Sequence, residues 1–123
     1  MIIRFSISPS FFDGKEVKLV LSSSDSNSWN LSGYYGSMYD RKKINKNIPS
    51  THVEAILNEL INTKIPIPSF ATGLDGTTYQ LDFECGFNSV SYRWWEEVPE
   101  SFEGINQLCK TLLSWAGIKN YDD

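Results

Sequence analysis

Histidine occurs once in this chain, at His52, and cysteine twice, at Cys85 and Cys109. One imidazole cannot form a histidine metal cluster, and the two cysteines have neither CxxC pairing nor metal-ligand spacing. The glycines form neither a P-loop nor a GxGxxG turn, and no serine sits in a GxSxG elbow. No acidic stretch has the D-x-D-x-D spacing of a calcium loop. These gaps remove the familiar routes to metal, phosphate and nucleophile chemistry, so neither cofactor nor metal is expected. No run approaches the roughly 20 apolar residues of a membrane helix. The start, Met1 to Pro9, lacks the charged segment and long apolar stretch of a secretion signal. The expectation is a soluble cytoplasmic chain with reduced thiols, Cys85 and Cys109 both serving as small buried hydrophobes.

What is present suits one folded unit. Of 123 residues, 41% are apolar and 14% aromatic, enough to fill a single core. We therefore expect one domain over 1–123, with 119–123 a loose tail. The net charge of −4 is unevenly placed. Residues 1–81 carry eight Lys and Arg against seven Asp and Glu, whereas 82–123 carry three against eight. A field of one sign steers partners of the other sign. The simpler account of Glu96, Glu97, Glu100 and Glu103 is that a solvated helix start favours glutamate near its N-terminus.

Ile3, Phe5 and Ile7 alternate with Arg4 and Ser6, and Val17, Leu19 and Leu21 alternate with Lys18, Val20 and Ser22, which predicts two neighbouring strands. Asp13-Gly14 marks a turn between them, and Ser22 to Ser28 reads as an exposed loop. Leu31, Tyr34, Tyr35 and Met38, interrupted by Gly33 and Gly36, suit a short or bulged strand. Asp40 to Asn47 reads as a basic polar segment. Thr51 and Glu54 form a capping box ahead of a stripe of Val53, Ile56, Leu57, Leu60 and Ile61. Ile65 to Pro68 stops that helix and returns the chain extended. Ser101 caps a last helix whose stripe is Phe102, Ile105, Leu108, Cys109, Leu112, Leu113 and Ala116, with Gly117 at its end.

Between the helices lies the most informative segment. Tyr79, Leu81, Phe83 and Cys85 point one way, and Thr78, Gln80, Asp82 and Glu84 the other. Gly86-Phe87 fits a two-residue II′ turn, which pairs Cys85 with Asn88, Phe83 with Val90, Leu81 with Tyr92 and Tyr79 with Trp94. The outward face then pairs Asp82 with Ser91, Gln80 with Arg93 and Thr78 with Trp95. Strand alternation sends Trp94 and Trp95 to opposite faces. The predicted fold is α+β, a two-layer sandwich of four to five mainly antiparallel strands with two helices on one face, in the order β-β-(β)-α-β-β-α. The other sheet face is left open.

Candidate chemistry is sparse. His52 sits in a first helical turn and reads as a solvated side chain. Asp82 and Glu84 lie side by side on an exposed strand face. Tyr34, Tyr35 and Tyr39 near Arg41, Lys42 and Lys43 mix aromatics with cations as single-stranded nucleic-acid sites do, but in one short segment of an acidic chain. A partner-binding surface of Asp82, Glu84, Arg93, Trp95, Glu96, Glu97, Glu100 and Tyr35 is the expectation, with Trp95 and Tyr35 as aromatic anchors.

The stretch from Leu74, Asp75, Gly76, Thr77 and Tyr79 through Gly86, Phe87 and Asn88 to Tyr92, Trp94, Trp95 and Pro99 resembles small bacterial proteins with a DGT-Y, YxWW-P hairpin-helix pattern. That likeness implies a fold and carries no activity. In general character the chain is similar to the immunity proteins of bacterial toxin systems, which implies stoichiometric neutralisation of a toxin domain with a basic surface. Nucleic acid and membrane are not expected partners. A small carboxylate-dependent hydrolase, and a homodimeric interaction protein, are the alternatives.

Overall fold

Period-two apolar patterns make the central strands, and a computed structural model pairs six strands antiparallel in one sheet. The structure describes residues 1–10, 14–23, 27–61, 76–99 and 102–119. The elements are β1 (Ile2–Pro9), β2 (Glu16–Ser23), β3 (Ser28–Ser37), β4 (Asp40–Pro49), α1 (Ser50–Ile61), β5 (Thr77–Cys85), β6 (Asn88–Trp95) and α2 (Glu103–Trp115). The sheet runs β4-β3-β2-β1-β5-β6. The chain is α+β, as expected, but with six strands rather than four or five.

The added strand is β4. Its sequence reads as a polar segment because Arg41, Lys42, Lys43, Asn45, Lys46 and Asn47 surround only two apolar side chains. Those two, Ile44 and Ile48, are buried at 8% and 6% exposure. An edge strand needs few core residues, and lysines along it discourage pairing with other chains. The β3 segment is also longer than its glycines suggested, running ten residues.

β1 is central, paired to β2 on one side and β5 on the other. Ile3, Phe5 and Ile7 are at most 2% exposed, while Arg4 and Ser8 face solvent and Ser6 is half-buried. The same alternation along β2 buries Val17, Leu19 and Leu21. These join Leu31, Leu81, Trp94 and the helix residues Val53, Ile105, Leu108 and Leu112 in one core between a single sheet face and the two helices. Burying a side chain of this size is worth about 1.5–3 kcal/mol each, so the central strands hold the sheet together.

The β5–β6 register agrees pair for pair with the sequence reading, from Cys85 opposite Asn88 to Thr78 opposite Trp95. Gly86 has φ +62° and Phe87 is not among the residues with positive φ, which is the signature of the II′ turn. The hairpin tip from Cys85 to Ser91 is exposed, Cys85 with it. Only Cys109 is the buried hydrophobe expected of both.

α1 begins at Ser50, one residue ahead of the predicted cap, and the Ser50 amide donates to the Asn27 carbonyl at 3.0 Å. Its stripe is buried at Val53 and frays outward, Ile61 being 76% exposed rather than packed. α2 closes as a Schellman motif, the Gly117 amide bonding the Ser114 carbonyl at 3.0 Å and the Ile118 amide that of Leu113 at 2.9 Å. Asp13, the turn at Ile65 to Pro68, Leu74, Asp75, Ser101 and the tail beyond Lys119 lie outside the described residues.

Cys85 and Cys109 separate sharply in accessibility, which gives a direct test of the core. Burial raises the Cys109 thiol well above the ordinary thiol range and keeps it protonated, hence unreactive. A thiol reagent at neutral pH should label Cys85 alone in the folded protein and both cysteines in urea. Prompt labelling of two thiols without urea would show that α2 does not pack as described.

Candidate functional site

The sheet face turned away from the helices is built by side chains at alternate positions of all six strands. Three rows define it. Arg41, Gly36 and Glu16 align across β4, β3 and β2, and Thr78 and Trp95 across β5 and β6. Lys43, Tyr34, Lys18, Ser6, Gln80 and Arg93 make the second row. Asn45, Ser32, Val20, Arg4, Asp82 and Ser91 make the third.

Four of the expected docking residues, Asp82, Glu84, Arg93 and Trp95, share this face. The others divide. Tyr35 pairs with the buried Val17 and packs, half-buried, against the core on the opposite side, with the Lys15 ammonium 5.9 Å from its ring centre. Its neighbour Tyr34 takes the open face instead. Glu96 and Glu97 are exposed beyond the end of β6, and Glu100 lies outside the described residues.

Electrostatics differ from the acidic surface that the C-terminal charge excess suggested. Among the described residues this face carries Arg4, Lys18, Arg41, Lys43 and Arg93 against Glu16, Asp82 and Glu84. The carboxylates are also engaged. Glu84 pairs with the Arg4 guanidinium at 2.6 Å. Asp82 accepts hydrogen bonds from the Ser91 hydroxyl and from the Gln80 amide at 3.2 Å. Glu16 accepts the Tyr34 hydroxyl at 2.7 Å and has Arg41 and Lys18 at 3.6 and 3.8 Å. The Arg41 guanidinium also lies over the Tyr34 ring, 4.5 Å from its centre. Exposed pairs of this kind contribute little stability, but they fix side chains in place. Lys43 and Arg93 have no such partner among the described residues.

Burial first, then the hydrogen bond to Glu16 and the charge of that carboxylate, raises Tyr34 above the usual phenol value of 10.0, with Arg41 opposing. The folded state thus holds this proton more tightly than the unfolded chain. Its contribution is complete below about pH 10 and disappears as pH climbs through the higher folded value. Tyr34→Phe should cost no more than about 1 kcal/mol at neutral pH and should flatten the alkaline decline of urea midpoints between about pH 9 and 12. An unchanged alkaline slope would show that the phenol is not held by Glu16.

The corner that holds Trp95 is built in detail. The Glu96 amide donates to the Thr77 carbonyl at 2.8 Å, and the Thr77 amide donates back to Glu96 Oε1 at 2.8 Å. Gly76 bonds Ser10 both ways, its carbonyl accepting from the Ser10 amide at 3.0 Å and its amide donating to the hydroxyl at 2.9 Å. A Cβ at Gly76, where φ is +156°, would collide with the Trp95 indole and the Glu96 carboxylate. The glycine is what lets that half-buried ring lie down on the sheet corner.

On the helix side, a cleft of about 660 Å³ opens between α2 and the ends of β5 and β6. Tyr79 and Trp94 stack in its floor with ring centres 5.6 Å apart, and Glu96, Glu97, Lys110 and Lys119 rim it. Its one thiol, Cys109, is the protonated group described above. Among the described residues no three His, Cys, Asp or Glu side chains are placed to hold a metal ion. No described helix is long and apolar enough to cross a membrane.

Sequence reasoning missed Glu16, Lys18, Tyr34, Arg41 and Lys43 as members of this face. The available signal was parity along β4, where Arg41, Lys43, Asn45 and Asn47 alternate with Ile44 and Ile48. Comparison with family models, with curated proteins and with solved structures returns no match.

Proposed function

We propose that this chain is a non-catalytic, cytoplasmic protein-binding module that docks a partner protein on the open sheet face. The observation that carries the reading is the Trp95 corner: a half-buried indole held on the sheet surface by Gly76 and Glu96, beside an Arg93 without an ion-pair partner among the described residues. Tryptophan and arginine are the residue types that most often anchor protein interfaces. Around them the face offers hydrogen-bonding Ser, Asn and Gln side chains and charges of both signs, as a polar rim requires. The concrete class is an immunity protein that blocks a bacterial toxin domain by one-to-one binding.

Because the carboxylates of the face are engaged, while Lys43 and Arg93 have no ion-pair partner among the described residues, the partner's contact is expected to present carboxylates to Arg93 and Lys43. A wholly basic toxin surface would have to approach through Glu96 and Glu97 at the corner instead. The hydrolase alternative has less to stand on. Its carboxylates would be Glu96 and Glu97 at the cleft rim, adjacent in sequence and exposed, with one Glu96 oxygen occupied by the Thr77 amide.

Co-expression with the polypeptide encoded immediately upstream tests the proposal. A one-to-one complex that protects the host, and is weakened by Arg93→Glu, is the expected result. A folded chain that neither binds nor protects, or that instead binds single-stranded oligonucleotides with steep salt dependence, would overturn it.

A further inference from the structure

We propose that the outer edge of β6 is a self-association surface, joining two copies of the chain by antiparallel strand pairing about a two-fold axis at Ser91. The two sheet edges are unlike each other. β4 ends in Pro49 and carries Arg41, Lys42, Lys43 and Lys46, residues that blunt an edge. β6 has neither proline nor lysine, and its first half, Asn88 to Ser91, is exposed. Among the described residues no strand pairs with its far side.

Of the exposed large apolar side chains, Met1, Ile61 and Val90 gather at the same place. On the helix side, a groove of about 480 Å³ runs between α1 and β6, lined by Leu57, Leu60, Ile61, Phe83, Val90 and Tyr92. Val90 is 45% exposed and Ile61 76%. An apolar groove alongside an unprotected strand edge is a surface suited to strand addition.

Self-complementarity selects a second copy as the occupant. With Ser91 on the axis, a ladder from Ser89 to Arg93 pairs each residue with its counterpart without a like-charge contact. Val90 meets the other copy's Tyr92, and the two grooves become one continuous apolar strip. Arg93, which has no ion-pair partner in its own described chain, faces the other copy's Ser89. Strands lie about 5 Å apart, so the Glu84 carboxylate stands directly behind that serine, within reach of a long guanidinium. Arg4 and Arg93 would then flank Glu84 from either side, extending the 2.6 Å Arg4–Glu84 pair across the junction and leaving Lys43 as the cation open to a docked partner. The lysines of β4 oppose a head-to-tail β6–β4 contact, so association closes as a dimer instead of growing into a fibre.

Light scattering of the full chain from about 1 to 100 µM should show a mass rising to twice that of one chain. Val90→Lys, at an exposed position, should raise the dissociation constant about tenfold or more while leaving the far-ultraviolet circular dichroism unchanged. Ser91→Cys in a Cys85→Ser background should cross-link to itself under mild oxidation, whereas Ser22→Cys on the open face should not, since only facing strand positions bring two Cβ atoms within disulfide reach. A single-chain mass at every concentration would overturn the proposal. So would a dimer indifferent to Val90→Lys, or one abolished only by changes on the open face. A monomer that loses binding of another protein through Val90→Lys would assign the edge to a foreign strand and would equally refute self-pairing.

Discussion

Replacing Gly33 with alanine is expected to destabilise the protein by about 3 kcal/mol or more, adding overpacking to backbone strain. Gly33 stands on the core face of β3, directly between Leu19 of β2 and Ile44 of β4. Its φ is +146°, and a Cβ built there overlaps the Lys18 carbonyl oxygen and comes within 3.0 Å of the Leu19 Cα. Both obstacles are backbone, so no rotamer change relieves them. β2 would have to move, and Leu19 on it is 1% exposed in the centre of the core. Against a total stability of about 5–15 kcal/mol for an ordinary domain, this single methyl removes a large share. In urea, where small domains lose about 1–3 kcal/mol per molar denaturant, the unfolding midpoint should fall by more than about 1 M. A loss under about 1 kcal/mol would mean that β2 and β3 are not as closely opposed as their register requires.

The same position shows where sequence reasoning lost the fold. Gly33 and Gly36 weaken a strand pattern, so 29–38 read as short or bulged, yet the structure extends β3 on both sides of them because β2 and β4 hold it. β4 was invisible for a different reason. Burying only Ile44 and Ile48 leaves eight polar, charged or proline positions in ten, and such a string resembles a solvated loop. Period-two patterns were legible where both ends of the alternation are strongly typed, as in Ile3, Phe5 and Ile7 against Arg4 and Ser6. They were legible above all in the β5–β6 hairpin, where a glycine at the first turn position pinned the register. For the site, parity within one hairpin correctly grouped Asp82, Glu84, Arg93 and Trp95. Parity could not say which of Tyr34 and Tyr35 joined them, since the glycines on both sides left the phase of β3 open. Nor could it give the charge of the face. Arg4, Lys18, Arg41 and Lys43 arrive from strands remote in sequence, and only the order β4-β3-β2-β1-β5-β6 spreads them over the surface that holds Asp82 and Glu84.

Truncating the two adjacent tryptophans should have opposite consequences for folding and for binding. Trp94 is 7% exposed, stacked on Tyr79 with the rings 2° from parallel, and Phe102 meets it edge-on at 6.2 Å. Trp94→Ala opens a cavity beneath α2 that neither neighbour can fill, and should cost about 3–5 kcal/mol. Trp95 lies on the other face, half-buried over Gly76, with solvent on its outer side. Trp95→Ala should cost only about 1 kcal/mol of stability, within the range of partly exposed positions. If the open face docks a protein, the same change should weaken that complex by about 2 kcal/mol, or about 30-fold in dissociation constant. Thermal unfolding of the two single variants separates these effects before any partner is in hand. A Trp95→Ala loss as large as that of Trp94→Ala would make the ring a structural member of the sheet corner and leave the face without its anchor. A small loss of stability joined to a large loss of binding is what the proposed docking face requires, because alternation has placed one indole where packing needs it and the other on the open face, where the proposed partner would cover it.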